Sequence, residues 1–220
     1  MIIEDLIEKE YASLKSEMTF KEARELFEET KLNDLPIVDG EAFKGILFVD
    51  QVEGKGEDKD LLGEIEDQYK SIAVKMDERM IIALKKMTKE GVGNLPVIDD
   101  QGEMQGVILS DRLWSEFAVR SSLLGAGGWI VLSVKKRDYK FSEIAQIVES
   151  NSMMILMHFV HFFQGVDLID VHIKVDRENV NELVQTFQRY EYSVSDVIQP
   201  KKFEDDWEER FDQLMRFFST

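Results

Sequence analysis

The sequence predicts a mixed fold of the α+β or α/β class: two copies of a βαββα-type repeat, then a βαββαβ unit and a C-terminal helix. Three observations support this prediction. Leu-Pro-Ile-Val-Asp at 35–39 returns as Leu-Pro-Val-Ile-Asp at 95–99, an offset of 60 residues. The densest glycine run of the chain occupies 125–128. Beyond that run, strand and helix patterns alternate in the order βαββαβ.

Composition and charge exclude several classes of function. The 220 residues are 44% hydrophobic and carry a net charge of −17, of which −11 falls in residues 1–70. A chain this acidic repels nucleic acid and anionic membranes, so neither is expected as a partner. The absence of cysteine removes disulfides, thiolate metal sites and cysteine nucleophiles. No stretch approaches the roughly 18 apolar residues of a membrane span, and we expect a cytoplasmic protein.

The first repeat is assigned to residues 1–70. A short strand is predicted at 12–14, and Thr19 with Glu22 forms a capping box that opens a helix. The Leu-Pro strand follows, and Gly45 begins a further apolar strand. Residues 53–60 are polar and predict an exposed loop or linker, followed by a weak helix at 60–68.

The second repeat, residues 71–124, shows the same order of elements. A strand is predicted at 71–74, and Asp77 is the predicted cap of a helix that Gly91 ends. The second Leu-Pro strand comes next, Gly106 opens its partner strand, and a helix is predicted over 112–124. The helix before Gly91 has one apolar face, made of Ile81, Ala83, Leu84 and Met87.

Over residues 1–128 the two Leu-Pro strands, each followed by a Gly-apolar-apolar strand, resemble a tandem pair of cystathionine-β-synthase-type (CBS) domains. The resemblance implies two copies packed as a pseudo-twofold disc, with clefts that hold adenosine-containing ligands such as AMP, ATP or S-adenosylmethionine. It implies nucleotide-binding roles for residues of the Leu-Pro strands and of the segments after each glycine. These are Pro36, Ile37, Asp50, Pro96, Val97, Ser110, Asp111 and Arg112.

The ligand signature of that family is a glycine, two apolar residues, Thr or Ser, two further residues and an Asp that binds the ribose. Phe48 and Leu109 occupy the Thr/Ser positions here, while Asp50 and Asp111 each lie one place before the Asp position. Two interpretations remain open for these acids: ribose ligands, or helix caps and turn residues. Arg112 is a candidate phosphate contact. A triplet of lysines makes the second copy more favourable for an anion or is simply solvated: Lys85, Lys86 and Lys89.

The third unit is assigned to residues 129–199, after a hinge or linker at 125–128. A buried strand at 129–134 and a helix at 142–149 come first. Strands at 154–163 and 168–175 then flank a hairpin turn. A helix at 179–190 and a strand at 193–198 complete a ferredoxin-like order.

This order resembles an ACT domain, a ligand-sensing module that commonly pairs between chains. Residues 136–144 align with the segment that precedes the first helix in that family, and Lys140 stands where the family has a glycine. The resemblance implies a ligand loop at Asp138 and Lys140, with Asp138 alternatively capping the helix, and a homodimer. CBS pairs followed by an ACT domain resemble the acetoin-utilisation protein B-like family.

Residues 200–220 are predicted to form an amphipathic helix, because an apolar stripe recurs at helical spacing. We interpret the stripe as core or an interchain contact, with a partner-binding helix as the alternative. Its members are Trp207, Phe211, Leu214, Met215 and Phe218.

No pattern for catalysis stands out. His158 and His172 can meet across the predicted hairpin, but a zinc site needs a third ligand, so we interpret the histidines as sheet residues. We therefore expect no enzyme, no metal and no required cofactor. The predicted function is a cytosolic regulatory protein whose CBS pair binds AMP, ADP or ATP and acts on an unidentified protein partner. The alternative is a structural interaction subunit whose ligand sites have decayed.

Overall fold

The computed structural model describes residues 3–199, which fall into two compact units that divide between Phe117 and Ala118. The predicted tail helix at 200–220 lies outside the described residues. Every helix within 3–199 is too short or too polar to cross a membrane.

The first repeat contains helix α1 (Phe20–Thr30) and an antiparallel hairpin of β1 (Asp34–Asp39) and β2 (Ala42–Phe48). The predicted capping box is confirmed, since Glu22 N–H donates to the Thr19 hydroxyl at 3.3 Å and Thr19 N–H donates to the Glu22 carboxylate at 2.8 Å. The predicted strand at 12–14 is reduced to one parallel bridge between Leu14 and Ile37. A 3₁₀ segment, Leu62–Gln68, replaces the predicted weak helix.

The second repeat contains β3 (Val74–Lys75), α2 (Met80–Glu90), β4 (Asn94–Ile98), β5 (Met104–Leu109) and α3 (Ser110–Arg120). The left-handed Gly91, at φ 69°, ends α2 as predicted. The predicted cap is wrong, because α2 begins two residues later and its N-cap is Arg79 rather than Asp77. Helix α3 begins two residues earlier than predicted and crosses the boundary between the two units.

An extended segment ahead of the first helix of each repeat pairs with a strand of the other repeat's hairpin. Glu8, in the segment ahead of α1, pairs with Val107 of β5. Lys70, which the sequence assigned to the first repeat, lies in the corresponding segment ahead of α2 and pairs with Ile46 of β2. In the second pairing each residue donates its N–H to the other's carbonyl, at 2.9 and 3.0 Å. The two cores of the first unit are therefore interlocked, and the pseudo-twofold arrangement is confirmed.

Gly45 and Gly106 lie inside β2 and β5, which begin at Ala42 and Met104, so the prediction that they open these strands is wrong. The interlocking explains why glycine is found at these two positions. Gly45 has φ +153°, and a Cβ there would lie 2.8 Å from the Tyr69 Cβ. Gly106 has φ +145°, and a Cβ there would collide with the backbone of Glu8. A side chain at either position would separate the borrowed segment from the strand that it completes.

The second unit is ferredoxin-like, as predicted. Its elements are β6 (Gly128–Lys135), α4 (Phe141–Ser150), β7 (Ile155–Phe162), β8 (Leu168–Val175), α5 (Asn181–Arg189) and β9 (Ser193–Ile198). The strands form one antiparallel sheet in the order β7-β8-β6-β9. Alternate residues of the two central strands pack against α4 and α5 to form a single core with Ile144, Leu183 and Phe187.

The glycine run differs from the predicted hinge. Gly128 already lies in β6, where an added Cβ would lie 2.5 Å from the Val180 side chain. Lys174 on β8 is 1% exposed, and its ammonium donates to the carbonyls of Ser122 (2.6 Å), Leu123 (2.9 Å) and Gly125. The residues that follow α3 are thereby bound to the sheet, since a single buried cation satisfies three of their carbonyls.

Replacing this cation tests how strongly it stabilises the second unit. We expect Lys174→Met to lower the free energy of unfolding of the second unit by about 2 kcal/mol, because the substitution leaves buried carbonyls without donors. Native-state hydrogen exchange of the β8 amides measures this change. Lys136→Met, at an exposed position, is the matched control. Equal exchange in Lys174→Met and the control would contradict the assignment.

Candidate functional site

A cleft of the first unit lies where the two repeats meet. Its volume is about 510 Å³, and it takes residues from the end of α1, the end of α2 and the start of α3. The lining residues are Lys31, Leu32, Asn33, Asp34, Met87, Thr88, Gly91, Val92, Gly93, Asn94, Leu109, Ser110, Asp111 and Trp114.

Asp34 and Asn94, which line this cleft, join the two repeats by hydrogen bonds. The Asp34 carboxylate accepts from the backbone N–H of Gly93 at 2.7 Å and from that of Asn94 at 2.9 Å. The Asn94 amide donates to the Asp34 carbonyl at 3.1 Å. Both residues are almost fully buried, with exposures of 2% and 4%, and they occupy equivalent positions in the repeat. The sequence analysis did not identify this pair.

The first turn of α3 supplies the polar and aromatic groups of the cleft. Ser110 N–H donates to the Gly93 carbonyl at 2.9 Å, which fixes the start of the helix beside β4. Asp111 is exposed, and Trp114, one turn further on, is 53% exposed. In the sequence, the signal for Trp114 was its position four residues after Ser110, one helical turn from a predicted site residue. Trp114 was not among the predicted site residues.

A second cleft, of about 420 Å³, occupies the equivalent position in the first repeat. It shares Lys31 and Asn33 with the larger cleft, and Val49 and Glu53 stand where the larger cleft has Ser110 and Trp114. Arg24 also lines it, at the position of the buried Leu84 in the second repeat. The two clefts therefore share a backbone plan and differ in chemistry.

The structure brings only part of the predicted nucleotide site together. Ser110 and Asp111 line the larger cleft. Asp50 is exposed on a 3₁₀ turn and is not a lining residue of either cleft. The Arg112 guanidinium pairs with the Glu8 carboxylate and donates to the Asp5 carbonyl at 2.9 Å. Four further predicted residues are buried in the first strand of each hairpin, β1 or β4, and line neither cleft: Pro36, Ile37, Pro96 and Val97.

The second unit has a pocket of its own, of about 490 Å³, lined by Asp138 and Lys140 among others. Lys140 has φ −136°, an extended conformation open to any residue, so the glycine of the ACT segment is not needed here. Lys140 is also the N-cap of α4, and Asp138 lies in the preceding 3₁₀ turn, so the helix-capping role considered for Asp138 is wrong. Burial, together with the neighbouring Glu143 carboxylate, raises the pKa of Tyr192 in this pocket to about 12.

The histidines do not form a cluster. His158 is in register with Ile173 on the helix-covered face, where it lies 3.1 Å from the Tyr139 hydroxyl, and burial lowers its pKa. His172 stacks on Phe159 on the opposite face, with ring centroids 4.3 Å apart, so the suggested meeting of His158 and His172 is wrong. Within residues 3–199, no group of three or more His, Cys, Asp or Glu side chains is arranged to hold a metal ion.

Comparison with known proteins agrees with the interlocked repeats. The CBS domain family model matches residues 3–51 and 62–113, which are the two repeats. The chain therefore carries a tandem pair of CBS domains. CBS pairs generally serve as regulatory, ligand-sensing modules rather than as catalysts.

Several individual proteins are similar to parts of the chain. An uncharacterised protein of Methanocaldococcus jannaschii is 27% identical over 100 residues, which are 46% of this chain and 34% of that protein. The match thus spans about a third of the length of this relative. A CBS domain pair/ACT domain protein of Thermotoga maritima has 13% identity and a TM-score of 0.48, covering 54% of this chain and 98% of that structure. A CBS domain pair in complex with 5′-methylthioadenosine and S-adenosyl-L-methionine has 24% identity and a TM-score of 0.45, covering 54% and 97%.

Removing the carboxylate that joins the repeats tests its structural role. We expect Asp34→Ala to lower the free energy of unfolding of the first unit by about 3 kcal/mol, because two buried N–H groups lose a charged acceptor. Asp34→Asn keeps one acceptor oxygen and should fall between wild type and alanine. Urea denaturation followed by circular dichroism measures both, with the exposed Asp50→Ala as control. Wild-type stability in Asp34→Ala would refute this role.

Proposed function

We propose that the CBS pair is a regulatory sensor that binds an adenosine-type ligand in the 510 Å³ cleft. The adenosine class is the one that the CBS resemblance implies, and the cleft volume falls within the range of about 300–1,000 Å³ typical of small-molecule sites. The observation that carries the proposal is that Ser110, Asp111 and Trp114, on one turn of α3, line the same cleft as Lys31.

Each of these groups suits one part of a nucleotide. The exposed Trp114 indole offers a stacking surface for a purine, an interaction worth about 1–3 kcal/mol. The Asp111 carboxylate accepts hydrogen bonds from ribose hydroxyls. The Ser110 hydroxyl, the N-terminus of the 11-residue α3 and the Lys31 ammonium favour a phosphate.

Regulation requires that the ligand prefer one arrangement of the protein over another. The lining of the cleft comes from both repeats and includes the Asp34–Asn94 contact between them, which supports a role of this kind. A ligand that contacts α3 and the end of α1 together would stabilise the arrangement in which both lie at the cleft.

Titration calorimetry with AMP, ADP and ATP tests the proposal. We expect binding of at least one nucleotide, with Asp111→Ala and Trp114→Ala each weakening the affinity about tenfold, a loss of about 1.4 kcal/mol. Asp77→Ala, an exposed acid outside this cleft, is the matched control. Absence of heat with all three nucleotides, together with a stable dimer in light scattering, would favour the structural interaction subunit instead.

The pocket of the second unit supports a second candidate function, the sensing of an amino acid by an ACT-like domain. Lys140 and Lys135 offer cations for a carboxylate, and Asp138 and Glu143 offer anions for an ammonium, around one 490 Å³ pocket. This combination of charges suits a zwitterion. The alternative role of the unit, side-by-side dimerisation, would use the edge strands β7 and β9.

Thermal-shift screening against the twenty amino acids tests this second candidate. A positive amino acid should lose most of its shift in Lys140→Ala, because the carboxylate then loses its cation. Lys136→Ala, a neighbouring exposed lysine outside the pocket lining, should keep the shift. A flat screen alongside dimeric light scattering would assign the unit to dimerisation alone.

A further inference from the structure

Residues 52–60, here called the strap, are held against α1 by a single arginine. The Arg24 guanidinium donates to the Val52 carbonyl at 2.9 Å, to the Lys55 carbonyl at 2.7 Å and to the Asp58 carboxylate at 2.6 Å. The sequence predicted an exposed loop or linker in this region. This prediction is confirmed, since residues 53–59 are exposed and lie outside helices and strands. The loop is nevertheless fixed at four residues, because the Arg24 guanidinium also donates to the Gly56 carbonyl at 3.4 Å.

The strap also completes the start of α1. Phe20 N–H donates to the Asp60 carbonyl at 3.0 Å, and Lys21 N–H donates to the Asp58 carbonyl at 3.3 Å. These amides belong to the first helical turn, which has no acceptors within the helix. Gly56 lies so close to the Phe20 ring that an added Cβ would be 2.9 Å from it. The contact leaves no room for a side chain, so the strap backbone packs directly on the ring.

The cleft of the first repeat, which Arg24 lines, differs from the larger cleft at equivalent positions. Glu28 stands where the larger cleft has Thr88, and Glu53 stands where it has Trp114. The hydroxyl of Ser110 is replaced by the Val49 side chain. The first cleft therefore has two carboxylates and lacks both the stacking indole and the hydroxyls, which disfavours an anionic nucleotide.

We infer that the CBS pair holds one nucleotide site per chain, in the larger cleft, and that Arg24, the cation on the lining of the other cleft, is committed to binding the strap. This inference rests on the proposed function. Arg24 occupies the position of Leu84, which is buried in the second repeat. The arginine is therefore the side chain that distinguishes the strap-binding copy from the nucleotide-binding copy. The first copy is then a fixed structural partner, and the response to a nucleotide is not cooperative within one chain.

Hydrogen exchange on the unliganded protein tests the strap without any nucleotide. Arg24→Leu introduces the residue found at the equivalent position and should raise exchange at the Phe20 and Lys21 amides about tenfold, because their acceptors are released. Glu29→Leu, a change at an exposed position of the same helix away from the strap, is the matched control. Unchanged protection of both amides in Arg24→Leu would overturn the role of Arg24.

Calorimetric stoichiometry tests the single site. AMP, ADP or ATP should bind the wild type and Glu29→Leu at one equivalent per chain, and Asp111→Ala should abolish or weaken that one event. The triple variant Glu28→Thr, Val49→Ser, Glu53→Trp copies the larger cleft and should gain a second equivalent. Two equivalents in the wild type would overturn the inference. No heat with any nucleotide would refute the proposed function and with it the single site, while the exchange experiment would still decide the strap.

Discussion

The buried contact between Asp34 and Asn94 is the constraint on which the first unit depends. The two residues occupy the same position in their repeats, so pseudo-twofold packing brings them together whatever they are. Two aspartates there would repel each other, since like charges that share a buried site disfavour ionisation. An aspartate opposite an asparagine resolves the conflict, because the carboxylate accepts while the amide and two backbone N–H groups donate. The pseudo-twofold packing is thus stabilised because the two copies carry different residues, Asp34 and Asn94, at this one position.

The same balance of shared backbone and divergent side chains extends outwards from that contact. Gly45 and Gly106 make equivalent close approaches to the borrowed segments, and both hairpins have a register irregularity at the same place, after Ile37 and after Val97. Backbone features had to be kept in both copies, because each strand pairing closes the other repeat's sheet. Side chains that line the clefts take no part in this strand pairing, and they differ between the two copies, as Val49 and Ser110 show.

Local signals in the sequence predicted most of the fold. The Thr19 capping box, the Gly91 helix end and the strand Ser193–Ile198 were all predictable, since each depends on neighbouring residues. The Asp77 cap failed because competing polar residues near a helix start give no unique boundary. The long-range contacts were beyond reach: nothing local indicates that Arg24 meets Asp58, that Arg112 pairs with Glu8, or that Lys174 binds the carbonyls after α3. Motif matching thus identified Ser110 and Asp111 but not the tryptophan one turn away.

The acidic residues of the strap and the residues that line the larger cleft lie in different parts of the first unit. Net charge is strongly negative over the whole chain, yet Glu53, Glu57 and Asp58 of the strap are exposed, and none of the strap residues lines the larger cleft. Exposed charges are screened within about 8–10 Å at physiological ionic strength, so they act weakly on a partly enclosed site. The potential that a phosphate would meet in the proposed site is set by Lys31, Asp111 and the start of α3, with the Asp34 carboxylate already neutralised in part by its donors. Acidity of the whole chain and affinity of one cleft for an anion are therefore compatible, because different residues determine them.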